Sequence, residues 1–292
     1  MKEKKKVIIV GAGQMGRAAK ELLDPNRTDF LGFADNDGEK WTEGDAAEGA
    51  EKVFPVQTAV DLAPDLIIIS VLGDERVRQL KEQLRICRFY GDILFLNDLY
   101  QTFDIRSRSL RELAKGMQNV RGAVAELGVY KGDTAVQLNG LFPERDLYLF
   151  DTFEGFCEED IRTESEEGLS GAKAGDFADT SEDAVMARMP YPEKCFVRKG
   201  RFPDTTAGLD HMDFAFVSID PDLYEPALAG LEFFYPRLNR GGVILVHDYN
   251  NTRFAGIRKA VSEFDDKLAA AGEEKLKIVP LGDLHGSCVI IR

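Results

Sequence analysis

Short apolar runs alternate with longer amphipathic segments along most of the chain, which is the pattern of an α/β protein. Many of the runs are four to seven residues long, rich in Val, Ile, Leu and Phe and bounded by turn residues, so they predict strands buried on both faces of a parallel sheet. The predicted strands cover residues 5–10, 31–34, 66–71, 93–96, 122–127, 146–150, 196–198, 214–219 and 241–246. Helices are predicted between them, at 17–23, 75–88, 184–189, 224–238 and 256–268.

The predicted elements fall into two groups, and 292 residues are enough for two domains. The pattern predicts two Rossmann-like, doubly wound α/β domains at 1–98 and 120–292, with a charged helical connector at 99–119. Residues 276–280 and 288–291 are separated by a hairpin-sized turn. The last strand of the second domain is therefore predicted to be antiparallel.

Composition narrows the classes of partner. The formal net charge is -14, and a field of this sign repels phosphate backbones, so we expect no nucleic-acid partner. No apolar run approaches the roughly 18 residues of a membrane helix, and the basic start of the chain lacks the apolar stretch of a secretory signal. We expect no membrane partner and a cytoplasmic location. Residues 154–183 are dense in acid and also carry Gly, Ser and Thr, which favours a solvated loop or lid.

The first strand runs into a glycine fingerprint, V-G-A-G-Q-M-G, with Gly11, Gly13 and Gly16. Asp35 ends the next predicted strand, about 20 residues beyond the last glycine, where a dinucleotide-binding unit places its ribose-binding acid. This spacing predicts a bound NAD(P) or nucleotide-sugar. The alternative is a Rossmann domain kept for packing or oligomerisation. Together with L-G-F-A-D-N-D and I-I-I-S-V-L-G-D, the motif resembles the amino-terminal Rossmann-like domains of sugar-modifying and nucleotide-sugar enzymes.

A second glycine turn follows the strand that begins near residue 122. Glu126 lies at the end of that strand, Gly128 and Gly132 lie in the turn, and Asp151 ends the next strand. An acid one crossover after a glycine turn suits a diol, because a carboxylate accepts hydrogen bonds from both hydroxyls at once. Helix capping is the alternative role for the two acids.

Two further strands end in polar residues, Asp220 and Asp222 after the first and His247 with Asp248 after the second. The carboxyl ends of neighbouring parallel strands face one crevice, so Asp220, His247 and Asp248 are expected to surround a single point. Carboxylate and imidazole ligands there favour a divalent cation. For His247 the alternative is a hydrogen-bonded core histidine. For Asp222 the preferred interpretation is the cap of the helix that follows.

Several ordered segments together resemble the macrocin O-methyltransferase family over residues 105–292. They are 122–156, F-V-R-K-G-R-F-P-D-T, S-I-D-P-D-L-Y-E-P-A-L-A-G-L-E-F-F, R-G-G-V-I-L-V-H-D-Y and G-I-R-K-A-V-S-E-F. The resemblance implies a class I methyltransferase fold, S-adenosylmethionine, a divalent metal (Mg or Mn) and a sugar hydroxyl as acceptor. It implies that Glu126, Gly128 and Gly132 bind the methionine part of the cofactor and that Asp151 binds its ribose.

The same resemblance implies that Asp220, His247 and Asp248 are the metal ligands and the catalytic set, with Asp220 the candidate base. The family usually has D-D-Y where this chain has His247, Asp248 and Tyr249, so manganese, iron or zinc are also expected to fit. Arginines at 106, 108 and 111 are interpreted as a solvated face, with substrate contact as the alternative.

We therefore expect a metal-dependent O-methyltransferase acting on a sugar or glycan-linked hydroxyl. The alternatives are an NAD(P)- or nucleotide-sugar-dependent oxidoreductase or epimerase, and a non-catalytic nucleotide-binding sensor. Enzymes of this kind often form symmetric dimers, so a homodimer is expected.

Overall fold

The computed structural model describes residues 3–42 and 51–292. The chain divides into two compact units, Met1–Asp104 and Ile105–Arg292. Among the described residues, none of the helices has both the length and the apolar character needed to cross a bilayer. Both units are α/β, as the alternation of apolar runs and amphipathic segments predicts.

The first unit is built around a five-stranded parallel sheet. Its elements are β1 (Lys5–Val10), α1 (Gln14–Glu21), β2 (Thr28–Ala34), β3 (Val53–Phe54), α2 (Val56–Asp61), β4 (Leu66–Ile69), α3 (Asp74–Ile86), β5 (Asp92–Phe95) and α4 (Leu96–Thr102). The strand order is β3-β2-β1-β4-β5, which is the order of a Rossmann sheet. The sequence predicts one strand fewer, because the two-residue β3 is too short to show a pattern.

The second unit contains a seven-stranded sheet in the order β11-β12-β10-β9-β6-β7-β8. Its elements are α5 (Ile105–Gly116), β6 (Ala123–Leu127), α6 (Asp133–Leu141), β7 (Leu147–Asp151), α7 (Glu158–Glu167), α8 (Glu182–Met186), β8 (Cys195–Lys199), β9 (Phe214–Ile219), α9 (Tyr224–Phe234), β10 (Leu238–Val246), α10 (Ala255–Ala270), β11 (Lys277–Pro280) and β12 (Cys288–Ile291). Strand β12 pairs antiparallel with β10 and with β11. The predicted doubly wound fold with an antiparallel last strand is confirmed.

Strand β10 shows why the central runs are apolar without alternation. Val243 and Leu245 pack into the cluster that contains residues of α5 and α6, whereas Ile244 and Val246 pack into the cluster that contains residues of α9 and α10. Successive side chains of a strand point to opposite faces, so helices on both faces require apolar residues at every position. The core is thus two layers, one on each side of the sheet.

The segment predicted as a connector, 99–119, contains α5. Leu110 and Ala114, four residues apart on this helix, are buried in the core of the second unit. The charged residues of the segment therefore belong to an amphipathic helix, and the two units divide between Asp104 and Ile105.

The acid-rich stretch 154–183 is not a continuous loop, because it contains α7. Three acidic residues lie in the first turn of this helix, where the helix dipole favours negative charge. Asp160 and Glu164 are buried, and Asp160 accepts hydrogen bonds from the guanidinium of Arg201. Most of the other acidic residues of the stretch are exposed, so Asp160 and Glu164 are the acids that the charge pattern does not explain.

Candidate functional site

Three neighbouring parallel strands of the second unit end at one edge of the sheet. Ile219 of β9 is paired with Leu127 of β6 on one side and with Val246 of β10 on the other. Asp220 and His247 directly follow their strands, and Glu126 is the penultimate residue of β6. The register therefore places these residues together at the carboxyl edge, where open α/β sheets bind ligands.

The predicted trio of Asp220, His247 and Asp248 converges. Nδ1 of His247 lies 2.8 Å from Oδ1 of Asp220 and 3.2 Å from Oδ2 of Asp248. Both ring nitrogens of His247 are nevertheless buried without a hydrogen-bond partner of acceptable geometry. One potential ligand atom from each of Asp220, Asp222, His247 and Asp248 lies within 4.8 Å of the others. Such a group has the donor types and the spacing to hold a divalent cation.

Charge within this cluster is strongly coupled. Burial opposes protonation of His247, but Asp220 and Asp248 outweigh it and raise the pKa of the imidazole to about 10. Burial would raise the pKa of Asp248, but His247 holds it below the usual value. Burial and the neighbouring charges of Asp220 and Asp248 raise the pKa of Asp222 well above its ordinary value. The carboxyl groups of this cluster therefore favour the charged form of His247 and the neutral form of Asp222.

Asp222 does not cap α9, so the preferred interpretation of this residue is wrong. The helix has Leu223 at its N-cap position and no side-chain cap from that residue. The backbone N–H of Tyr224 donates instead to Oε1 of the buried Glu164, at 2.7 Å, from helix α7. Asp222 has a φ of +60°, a left-handed conformation that Asp tolerates better than most residues, and its carboxyl group belongs to the cation-type cluster.

Glu126 is 1% exposed, and its Oε2 has no hydrogen-bond partner. Burial first, and then the charge of Asp220, raises the pKa of this carboxyl well above its ordinary value. Gly128 explains the close approach of the two strands: a Cβ there would lie 2.1 Å from the carbonyl oxygen of Asp220, and its φ is +83°. The glycine turn is thus required by the protein's own backbone.

Asp151 contacts the same turn rather than a helix end. Its Oδ2 accepts hydrogen bonds from the backbone N–H groups of Val129 and Tyr130, at 2.7 and 2.8 Å, and its Oδ1 accepts from Phe153. The helix-capping alternative for Asp151 is therefore not what the structure shows. Gly132 precedes α6 in a left-handed conformation. The carboxylate of Asp151 fixes the shape of the turn beside the carboxyl edge.

Two residues beyond the predicted trio contact it. Nη1 of Arg106, at the start of α5, lies 3.1 Å from Oδ2 of Asp220. The ring of His285 lies 4.9 Å from that of His247, between centroids. From the sequence Arg106 is expected to be solvated and no role is predicted for His285, because long-range packing brings each of them to the site. The hairpin-sized turn before an antiparallel last strand is the one signal for His285.

Comparison with known proteins identifies the family of the second unit. The chain matches the macrocin O-methyltransferase (TylF) family over residues 105–288, more than half of its length. The chain belongs to this family. A demethyldecarbamoylnovobiocin O-methyltransferase of Streptomyces niveus is 27% identical over 172 residues, which are 53% of this chain and 62% of the relative.

A second relative of the chain is the 8-demethyl-8-(2,3-dimethoxy-alpha-L-rhamnosyl)-tetracenomycin-C 4'-O-methyltransferase of Streptomyces olivaceus. It is 25% identical over 183 residues, 59% of this chain and 66% of the relative. The chain thus spans somewhat less than two thirds of the length of these relatives. The structure of the O-methyltransferase NovP is similar with a TM-score of 0.51 and 22% identity, over 64% of this chain and 79% of NovP, which establishes the fold.

The family match leaves the first unit uncovered. There the predicted acid, Asp35, accepts hydrogen bonds from the backbone N–H groups of Ala12 and Asp37, at 2.9 and 3.0 Å. Burial alone would raise the pKa of Asp35, but the hydrogen bonds from the two N–H groups lower it. A Cβ on Gly16 would lie 1.9 Å from the carbonyl oxygen of Gly11, whereas one on Gly13 would meet nothing within 4 Å. Gly16 therefore serves helix packing, and the backbone at Gly13 is open to approach.

Proposed function

We propose that the second unit transfers a methyl group from S-adenosylmethionine to a sugar or glycan-linked hydroxyl with the help of a divalent cation. The observation that carries this proposal is the convergence of Asp220, His247 and Asp248 at the ends of β9 and β10, beside the buried Glu126 at the end of β6. Membership of the macrocin O-methyltransferase family supports it.

The turn after β6 fits the amino-acid part of the cofactor. Oε2 of Glu126 is a buried acceptor without a partner, and an ammonium group would supply the missing donor. The carboxylate of Asp151 holds the turn in place, and Gly128 keeps it against the backbone of Asp220. S-adenosylmethionine supplies a methyl group on a sulfonium, which leaves readily, so the protein mainly has to align the accepting oxygen and lower its pKa.

The cluster at the ends of β9 and β10 fits a cation. Asp220, Asp248 and the ring of His247 would hold it, because carboxylate oxygen and imidazole nitrogen are ligands for divalent cations. A bound cation would supply positive charge that stabilises an alkoxide and orients neighbouring hydroxyls. Asn251 donates a hydrogen bond to Oδ1 of Asp248 at 2.7 Å, which orients that carboxylate.

We assign the proton acceptor to Asp222 rather than to Asp220. Both carboxylate oxygens of Asp220 are engaged, one near His247 and one near Arg106. Asp222 lies two residues further along, with a carboxyl group that contacts Asp248 in the same cluster. A cation bound beside Asp222 would lower the pKa of its carboxyl group and release its proton, and the carboxylate would then accept the proton of the hydroxyl.

The acceptor class rests on the relatives. One of them is named for a rhamnosyl-bearing tetracenomycin and acts at a 4' oxygen. The acidic carboxyl edge suits an uncharged, hydroxyl-rich acceptor better than an anionic one, because negative groups would be repelled.

Calorimetric titration of the full-length chain with S-adenosylmethionine and with NAD, each with and without Mn²⁺ or Mg²⁺, tests the proposal. We expect S-adenosylmethionine to bind, and label from its methyl group to pass to a rhamnose-bearing natural product only when a cation is present. A chain that binds NAD and not S-adenosylmethionine would overturn the proposal.

We propose further that the first unit binds a nucleotide-sugar or NAD(P). The support is the Rossmann strand order and the open backbone at Gly13, where α1 begins without a side-chain cap. Replacing Gly13 by Ala is expected to weaken binding of a UDP-sugar or NAD without lowering the melting temperature. If the unaltered chain binds neither probe, this role of the first unit is excluded.

A further inference from the structure

We propose that His285 is an additional ligand of the cation site and that the site therefore prefers a first-row transition ion, such as Mn²⁺, Co²⁺ or Zn²⁺, over Mg²⁺. The inference rests on the cation site of the proposed function and specifies the kind of ion that it takes. It starts from a second group of possible ligands: one donor atom from each of His247, Asp248 and His285 lies within 4.8 Å of the others.

This second group shares two members with the carboxylate cluster described above. His247 and Asp248 belong to both, and the His247 and His285 rings are 4.9 Å apart with an angle of 38° between their planes. Nδ1 of His247 lies 2.8 Å from Asp220 and 3.2 Å from Asp248, and its Nε2 is buried without a hydrogen-bond partner. A buried imidazole between carboxylates and a second imidazole is the donor arrangement of a mixed nitrogen and oxygen metal site.

Sheet topology brings His285 to this position. Strand β12 is inserted beside β10, and Cys288 is paired with Val246, the residue before His247. The turn between β11 and β12 consequently lies over the carboxyl end of β10. His285 is separated from His247 by nearly forty positions in the sequence yet shares its surroundings.

Hydrogen bonds hold the turn that carries His285. The backbone N–H of Asn250 donates to the carbonyl oxygen of Gly286 at 2.8 Å, and the N–H of Ser287 donates to Oδ1 of Asp283 at 2.8 Å. A Cβ on Gly286 would lie 2.8 Å from that of Asn250, and its φ is +72°. The turn is thus packed directly against the segment that follows His247 and Asp248, which holds His285 in place for binding.

Ligand chemistry then determines ion preference. Magnesium takes oxygen ligands and retains its waters, whereas imidazole strengthens binding of divalent first-row metals in the order Mn < Fe < Co < Ni < Cu > Zn. Two imidazoles with the carboxylate of Asp248 therefore favour Co²⁺ or Zn²⁺ over Mg²⁺. Loss of one imidazole is expected to weaken binding of those ions by at least about 10- to 100-fold, the range seen when groups that support a metal site are removed.

The test uses the full-length chain, stripped of metal with a chelator and titrated separately with Co²⁺, Zn²⁺, Mn²⁺ and Mg²⁺ by calorimetry. Visible absorption of bound Co²⁺ reports its nitrogen ligands independently of activity. We expect His285→Asn to weaken Co²⁺ and Zn²⁺ binding at least tenfold and to change the Co²⁺ spectrum. The exposed His211 lies elsewhere in the second unit, and His211→Asn is the matched control, expected to change neither.

A second variant, His285→Asp, replaces nitrogen by oxygen and keeps a ligand. It is expected to narrow the gap between Mg²⁺ and Co²⁺ affinities, and it keeps the test decisive if His285→Asn fails to fold. Wild-type affinity and an unchanged Co²⁺ spectrum in these variants would overturn the role of His285, as would equal affinity of the wild type for Mg²⁺ and Co²⁺. Failure of every cation to bind the wild type would instead overturn the cation site of the proposed function.

Discussion

Arg106 is expected to compete with a cation for Asp220, so removal of its charge is predicted to strengthen cation binding and to lower the melting temperature of the cation-free protein. The guanidinium lies 3.1 Å from the carboxylate, and the two side chains are 17% and 19% exposed. At an effective dielectric constant of about 20, unit charges at this distance attract by about 5 kcal/mol before desolvation is subtracted. A net contribution of about 1.5–3 kcal/mol is typical of hydrogen bonds to charged groups.

A divalent cation must overcome this attraction in order to bind Asp220 fully. Replacing Arg106 by Met keeps the apolar part of the side chain and removes the charge. Cation affinity is expected to rise by about 10- to 140-fold, because each 1.4 kcal/mol is a factor of ten. The cation-free protein is expected to melt at a lower temperature, since a largely buried carboxylate loses its partner.

Calorimetric titration with Mn²⁺ and thermal melts with and without the ion measure both effects. Arg108 is an exposed residue of the same helix, and Arg108→Met is the matched control, expected to leave both measurements unchanged. Unchanged or weaker Mn²⁺ binding in Arg106→Met, with a normal control, would show that Arg106 does not compete with a cation.

Three other predictions follow from the same geometry. Glu126→Gln is expected to weaken S-adenosylmethionine binding about 10- to 100-fold in calorimetry, because a charge-assisted hydrogen bond to the cofactor is lost. The melting temperature is expected to stay unchanged. Undiminished binding would exclude contact between Glu126 and the cofactor. Glu164→Ala is expected to lower the free energy of unfolding by about 1–2 kcal/mol in denaturant titrations, because the N–H of Tyr224 loses its acceptor. Glu164→Gln keeps an acceptor oxygen and should restore most of this free energy. Equal losses in the two variants would contradict a capping role. Cation affinity is expected to rise by about tenfold per pH unit between pH 6 and 9. His247 has a pKa of about 10 in the cation-free protein and must release its proton before it can bind a cation. Titrations that show no pH dependence would mean that His247 is not a ligand.

The carboxyl edge of the second unit follows from local patterns alone. Apolar runs that end in Asp220 and in His247 predict buried parallel strands, and neighbouring strands of such a sheet open to one crevice. This rule needs no knowledge of distant contacts, so the convergence of Asp220, His247 and Asp248 can be predicted from the sequence.

Residues that reach the site through long-range packing are not visible in this way. The cap of α9 comes from Glu164, 60 residues before Tyr224, so the adjacent Asp222 is the better local candidate and is nevertheless the wrong one. His285 depends on the insertion of β12 beside β10, a matter of strand order that periodicity does not encode. Helix α7 is not predicted from the sequence, because its acidic residues are typical of a solvated loop. In the structure these residues are stabilised by the amino terminus of the helix and by Arg201.

The most direct test of separate cation and cofactor sites is a pair of titrations of Asp248→Asn, one with S-adenosylmethionine and one with Mn²⁺. Asp248 is 3% exposed and lies in the cluster assigned to the cation, whereas the cofactor is assigned to the turn after β6. We predict that Mn²⁺ binding is lost and that S-adenosylmethionine binding remains close to that of the wild type. Equal loss of both would contradict this prediction and would show that Asp248 supports the fold.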